Sequence, residues 1–192
     1  MFERAARTGG RLLPGASLSR ESGLSREALR KAMRRLELRK MVHRVGPGLY
    51  ASALFPPSLE EVAMALGRPC YVSFESALSR YGILSQSPAA LTCATRRKPS
   101  LLRTFAGEVL LRRLAGSRFW GFREERGILW AEPEKALLDW VYWKLQTEGA
   151  APALDELSTE DLDRAKLAAW SLRYPSTVRR ALGDLDAAPL KR

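Results

Sequence analysis

Two consecutive prolines, Pro56 and Pro57, stand a little over a quarter of the way along this 192-residue chain, and neither a helix nor a central strand can run through them. The chain therefore reads as two segments joined by a short linker at about residues 52–57, with a new helix opening at Ser58. Charge divides at the same place. Residues 1–55 hold twelve Lys+Arg against four Asp+Glu, a net of +8, whereas the remainder holds twenty against seventeen, a net of +3. A formal net charge of +11 concentrated in the first segment favours a polyanionic partner.

Composition removes several classes of function. With 46% hydrophobic residues the chain has material for a real core, yet every apolar run is broken by a charge or a proline before it reaches a membrane span of about 18 residues. Glu3, Arg4, Arg7 and Arg11 stand where a secretory signal would place an apolar stretch, so the expected location is the cytoplasm. There, Cys70 and Cys93 read as two free thiols. One histidine, His43, and two cysteines give too little for a Cys/His zinc site or a triad, and no Gly-rich phosphate loop is present. The expectation is a binding protein, not an enzyme, with no cofactor and no metal.

In the first segment, residues 16–22 form a short helical stretch closed by Gly23. Ser25 then opens a second helix as N-cap, with Glu27 in its first turn and Leu24 and Leu29 spaced as a hydrophobic staple. Leu29, Ala32, Met33 and Leu36 make its apolar stripe, while Arg26, Arg30, Lys31, Arg34 and Arg35 occupy the rest of the circumference. Next, residues 41–45 and 49–51 read as a hairpin around Gly46-Pro47-Gly48, whose Pro and Gly suit a type II turn. Two short helices, a tight turn and a hairpin describe a winged helix-turn-helix, with the helix from Ser25 in a major groove and the hairpin along the phosphates. His43 reads either as a phosphate donor in that hairpin or as a partly packed ring.

The second segment reads as α+β. Ser58 and Glu61 form a capping box for a helix ending at Gly67, and Ser73 is the expected N-cap of a helix closed by Gly82. Residues 90–95, about 106–114 and 127–131 read as strands, and Pro133 at the first helical position opens an apolar, central helix. Glu132, Glu134 and Asp139 offer a divalent-metal nuclease reading, set against a helix start at Glu134 and an i,i+4 pair of Asp139 with Lys135. Phe119, Trp120 and Phe122 read as a core cluster before a base-stacking platform, and Arg96-Arg97-Lys98 as a basic loop. Residues 158–185 look helical twice, broken at Tyr174-Pro175-Ser176.

Three motifs in this order, Gly46-Pro47-Gly48-Leu49-Tyr50, then residues 71–78 running into Tyr81-Gly82, then residues 131–139, resemble the AbiEi family of antitoxins over roughly residues 10–185. The resemblance implies a winged helix-turn-helix domain at 1–55 that represses its own operon, and an α+β domain at 58–192 that counteracts a nucleotidyltransferase-like toxin, AbiEii. It implies double-stranded DNA of the chain's own promoter as partner, contacted by Ser25, Arg26, Arg30, Lys31, Arg34 and Arg35 of the helix and by Arg44 and Gly48 of the wing. A homodimer on a repeated half-site would suit such a motif. The family carries a longer first helix than residues 2–7 supply here, where Phe2, Ala5 and Ala6 form the apolar side. A stand-alone regulator without a toxin and the metal-dependent nuclease are the competing readings.

Overall fold

The computed structural model describes residues 11–187, with side chains placed through Gly183; the short helix expected at residues 2–7 lies outside the described residues. The chain is mixed α+β with two sheets. The smaller sheet is antiparallel in the order β1-β3-β2, from Leu12–Pro14 (β1), Val42–Gly46 (β2) and Leu49–Ser52 (β3). Helices α1 (Gly15–Ser22) and α2 (Arg26–Leu38) lie between β1 and β2 in sequence, joined across Gly23, whose φ of 68° is the left-handed conformation a helix stop requires. Ser25 accepts from the Ala28 N–H at 3.2 Å, as the sequence predicts, although Leu24 of the expected staple stays exposed. Leu18, Leu29, Met33, Val42 and Tyr50 close with Leu13 into one small core. The sequence reading missed β1.

The larger sheet has six strands in the order β6-β7-β5-β4-β9-β8, drawn from Cys70–Val72 (β4), Leu91–Thr95 (β5), Ser100–Thr104 (β6), Gly107–Arg113 (β7), Phe122–Glu125 (β8) and Ile128–Ala131 (β9). Both faces of its centre are covered, so β4 and β5 are buried at every position. Period two sorts their side chains. Cys70, Val72 and Cys93 face α3 (Leu59–Leu66) through Ala63 and Met64, whereas Tyr71 and Ala94 face α5 (Pro133–Thr147) and α4 (Phe74–Arg80). Helices α6 (Arg164–Ser171) and α7 (Ser176–Ala187) pack on α5. The Ser58–Glu61 capping box is present in both directions, and Pro133 is at the first helical position of α5.

Ser73 stands at the N-cap position of α4, as expected, but its side chain does not make the capping bond. Its hydroxyl donates instead to Asp139 Oδ2 at 2.8 Å, and the Ser76 N–H finds its acceptor in Thr92 Oγ1 on β5 at 3.0 Å. The cap comes from a neighbouring strand, leaving Ser73 free to join a buried network.

In that network Asp139 accepts at Oδ2 from Tyr71 (2.9 Å) and Ser73, and at Oδ1 from Tyr174 (2.7 Å) and Lys135. Lys135 Nζ also donates to both phenol oxygens, each at 2.8 Å. All three ammonium donors are thus used, and each phenol gives one hydrogen bond and receives another. The i,i+4 pair expected from the spacing is present, and both side chains are completely buried. Gly121, at φ 72°, lies over it; a Cβ there would meet Lys135 Cγ and Cδ at 3.0 Å.

Removing one member leaves a charge uncompensated, so Asp139→Ala should cost about 3–5 kcal/mol in chemical denaturation. A loss below 1 kcal/mol would mean the network is not sealed.

Burial, reinforced by the Asp139 charge, holds the Tyr71 and Tyr174 phenols above the ordinary tyrosine range, while burial lowers Lys135. The phenols keep protons in the fold that the unfolded chain releases near pH 10, so their contribution is complete below that pH and lost above it. Lys135 acts oppositely, but only up to the unfolded lysine value near 10.5. At pH 11, phenolate absorbance of the folded protein should therefore lack at least two of the five tyrosines, and the missing phenolates should appear together on unfolding. Complete ionisation at pH 11 with the fold intact would contradict this.

Candidate nucleic-acid interface

Helix α2 turns Arg26, Arg30 and Arg34 to one side, four residues apart, so three guanidinium groups lie along about 12 Å of helix. That length matches three to four base-pair steps. On the hairpin, Arg44 stands opposite Tyr50 in the register, and His43 opposite Ala51. The pleat therefore sends Arg44 to the same face as Tyr50, towards α2, and His43 to the other. Arg26, Arg30, Lys31, Arg34, Arg44 and Gly48 together line one open cleft of about 850 Å³, with Leu29 and Tyr50 among its apolar lining. Glu37 is the one acidic residue lining it among the described residues.

The cleft is fixed at its ends by backbone. The Gly15 N–H at the start of α1 donates to the Gly48 carbonyl at 2.7 Å, which ties the hairpin turn to the first helix. Gly48 has φ 67°, as the second corner of a Pro47-Gly48 type II turn demands. Five of the six cleft residues are charged and exposed at the surface, and Lys31 alone among them makes an ion pair in the described residues, with Glu27 at 2.9 Å.

Six of the eight residues singled out from sequence thus meet in one place. Ser25 sits at the amino end of α2 as its cap, and Arg35 is exposed without lining the cleft. Gly15, Ala16 and Tyr50 also line it and were missed. Tyr50 could have been found from the alternation of β3; the role of Gly15 depends on β1, which too few residues specify.

The far face of the hairpin is occupied. His43 stacks on Phe105 from the β6–β7 turn at 4.3 Å between ring centres and 4° between planes. Val45, Ala51 and Val62 form a core with Leu12, Leu49, Leu66 and Ala106, and Arg11 pairs with Glu61 at 3.6 Å. His43 is therefore a packed ring, and of the two hairpin side chains placed along a phosphate backbone only Arg44 is presented there. Replacing His43 with Ala should lower stability by about 0.5–1.5 kcal/mol and, if the cleft is a DNA site, leave that affinity unchanged within twofold. A tenfold loss of affinity with an unchanged melt would return His43 to the interface.

The carboxylates of the nuclease reading are separated. Asp139 is enclosed in the buried network, whereas Glu132 and Glu134 both bind Lys166, at 2.6 and 2.8 Å. Phe119 and Phe122 pack on Tyr71, and Trp120 on Trp170, as a core cluster. Both cysteines are free and buried. No helix among the described residues is long and apolar enough to cross a membrane.

No family model and no curated protein matches the chain. Among solved structures it is similar to the crystal structure of the RV2827C protein from Mycobacterium tuberculosis, with a TM-score of 0.66 and 16% sequence identity, over 96% of this chain and 74% of that one. The two share a fold.

Proposed function

We propose that the chain is a DNA-binding transcriptional regulator whose first segment works as a winged helix-turn-helix, with α2 as the helix that reads sequence. One observation carries this: Arg26, Arg30 and Arg34 from α2 and Arg44 from the hairpin converge on a single cleft bordered by one acidic residue. A helix fits a major groove about 12 Å wide, and arginines spaced along it reach guanine edges or flanking phosphates. Arg44 and the exposed backbone at Gly48 suit the adjacent strand. The antitoxin role of the AbiEi type, against a nucleotidyltransferase-like toxin, rests on the motif resemblance and belongs to the larger α+β part. Asp139 saturated by four donors, and Glu132 and Glu134 held by a lysine, suit a structural role better than metal chemistry.

The test is binding of the purified chain to its own upstream DNA against a scrambled duplex of equal length. Preference for the upstream duplex is expected, and equal affinity for both would refute a sequence-reading regulator. Replacing Arg30 or Arg34 with Ala should weaken upstream binding by about 1–3 kcal/mol if either reads a base edge. Unchanged affinity in both variants would place the interface on another face. If about six phosphates are neutralised, affinity should fall roughly a thousandfold between 50 and 200 mM salt, and a flat response would remove the electrostatic part of the argument. The antitoxin role predicts a nucleotidyltransferase-like gene beside this one, whose toxicity co-expression of this chain should relieve; the absence of such a neighbour would favour a stand-alone regulator.

A further inference from the structure

A second cationic surface lies in the larger part of the chain, on residues the proposed interface does not use. From Ser76 to Gly107 there is no Asp or Glu, nor is there from Val109 to Arg123. The sheet gathers the cations of these stretches at one end. Cys70 pairs with Thr95 across β4 and β5, Thr95 lies beside Arg113 across β5 and β7, and Ser100 pairs with Leu111 across β6 and β7. Arg68, Arg96, Arg97, Lys98 and Arg113 therefore emerge together where β4 and β6 begin and β5 and β7 end.

The local backbone is held firmly. Thr95 Oγ1 donates to the Pro69 carbonyl at 2.8 Å and accepts from the Arg97 N–H at 3.2 Å, and the Leu114 N–H donates to the Thr95 carbonyl at 2.9 Å.

Ion pairing is common but not universal among the cations of this part, where exposed Arg126, Arg173, Arg179 and Arg180 make no ion pair among the described residues; what distinguishes the sheet end is five cations gathered together with no carboxylate in the stretches that carry four of them. In the same part of the molecule Arg80 binds Glu125, Arg103 binds Glu108, Arg112 binds Glu75, Lys144 binds Glu148 and Lys166 binds Glu132. The five at the sheet end are all exposed, and none makes an ion pair among the described residues. Like charges held this close repel one another, and a polyanion relieves the repulsion while releasing its own counterions. No exposed aromatic ring stands among them; Phe105, against His43, is at the opposite end of β6. Without a stacking ring or a helix, such a surface holds a backbone and reads no bases.

We propose that this end of the six-stranded sheet is a second, sequence-independent nucleic-acid contact that holds the phosphate backbone of duplex DNA. It deepens the DNA-binding reading and rests on it only for the choice of DNA over RNA.

The experiment compares the full chain with the triple variant R96Q/R97Q/K98Q on a scrambled DNA duplex and an RNA hairpin of matched length across a salt series. Three lost phosphate contacts should lower the slope of log affinity against log salt by about 2 to 3 on the scrambled duplex, while the ratio of upstream to scrambled affinity stays unchanged. R96K/R97K should keep the wild-type slope, since a backbone contact reads charge. An unchanged slope in the glutamine variant overturns the proposal, as does a loss confined to the RNA hairpin, which would make the surface an RNA contact. Because the slope is read on scrambled DNA, it is independent of whether the wild-type chain prefers its upstream sequence. All three side chains are exposed, so the far-ultraviolet circular dichroism and the melt serve as controls for folding.

Discussion

The buried charge at the foot of α5 is the constraint on which the larger half of the molecule depends. An ammonium and a carboxylate out of water cost several kcal/mol each, and only a complete set of partners offsets that cost. The partners come from far apart in sequence: Tyr71 and Ser73 at the end of β4, Lys135 and Asp139 from α5, and Tyr174 from the connection between α6 and α7. α5 is thereby bonded to the end of β4, and the connection between α6 and α7 to α5, through one shared set of groups. The arrangement also accounts for features around it, including Ser73 released from capping, Thr92 acting in its place, and Gly121 passing in left-handed conformation so close to Lys135 that a Cβ would press on its side chain.

The same economy joins the two halves. The hairpin has two faces and uses both: Tyr50 and Val42 close the small core against α2, while Val45 and Ala51 meet Val62 of α3. A hairpin whose back is packed in this way has little freedom to rearrange. The Arg-lined cleft is consequently preorganised, with α2 and the near face of the hairpin held by the first core and the back of the hairpin by the second, so the proposed binding of a polyanion would require less ordering. Part of the +8 charge of the first segment is thus gathered into one cleft by Arg26, Arg30, Lys31, Arg34 and Arg44.

Much of this was legible in the sequence because it rests on local chemistry. The Ser25 cap, the Gly23 stop, the Ser58–Glu61 box, the Pro47-Gly48 turn and the start of α5 at Pro133 are each set by residues within a few positions of one another. The readings that failed depended on distant partners. Ser73 looks like a cap until Asp139, 66 residues away, competes for its hydroxyl. β1, β4, β6 and β8 are short or lack clean alternation, and the neighbouring strands define them. The pair Lys135–Asp139 has the spacing of a surface contact, and only the sheet above it makes it a core. For the candidate site, the arginines of α2 were legible from helical spacing; that Arg44 joins them while His43 turns away follows from hairpin register and from Phe105, some sixty residues downstream.

The central claim is that the cleft between α2 and the hairpin receives DNA. Hydrogen–deuterium exchange of the full chain, with and without its upstream duplex, addresses it most directly, because it reports where the ligand sits without altering any residue. Slower exchange on binding is expected in α2 and in residues 44–50, with the strongly bonded amides around Asp139 unchanged. Binding that leaves both of those segments as they were would contradict the account.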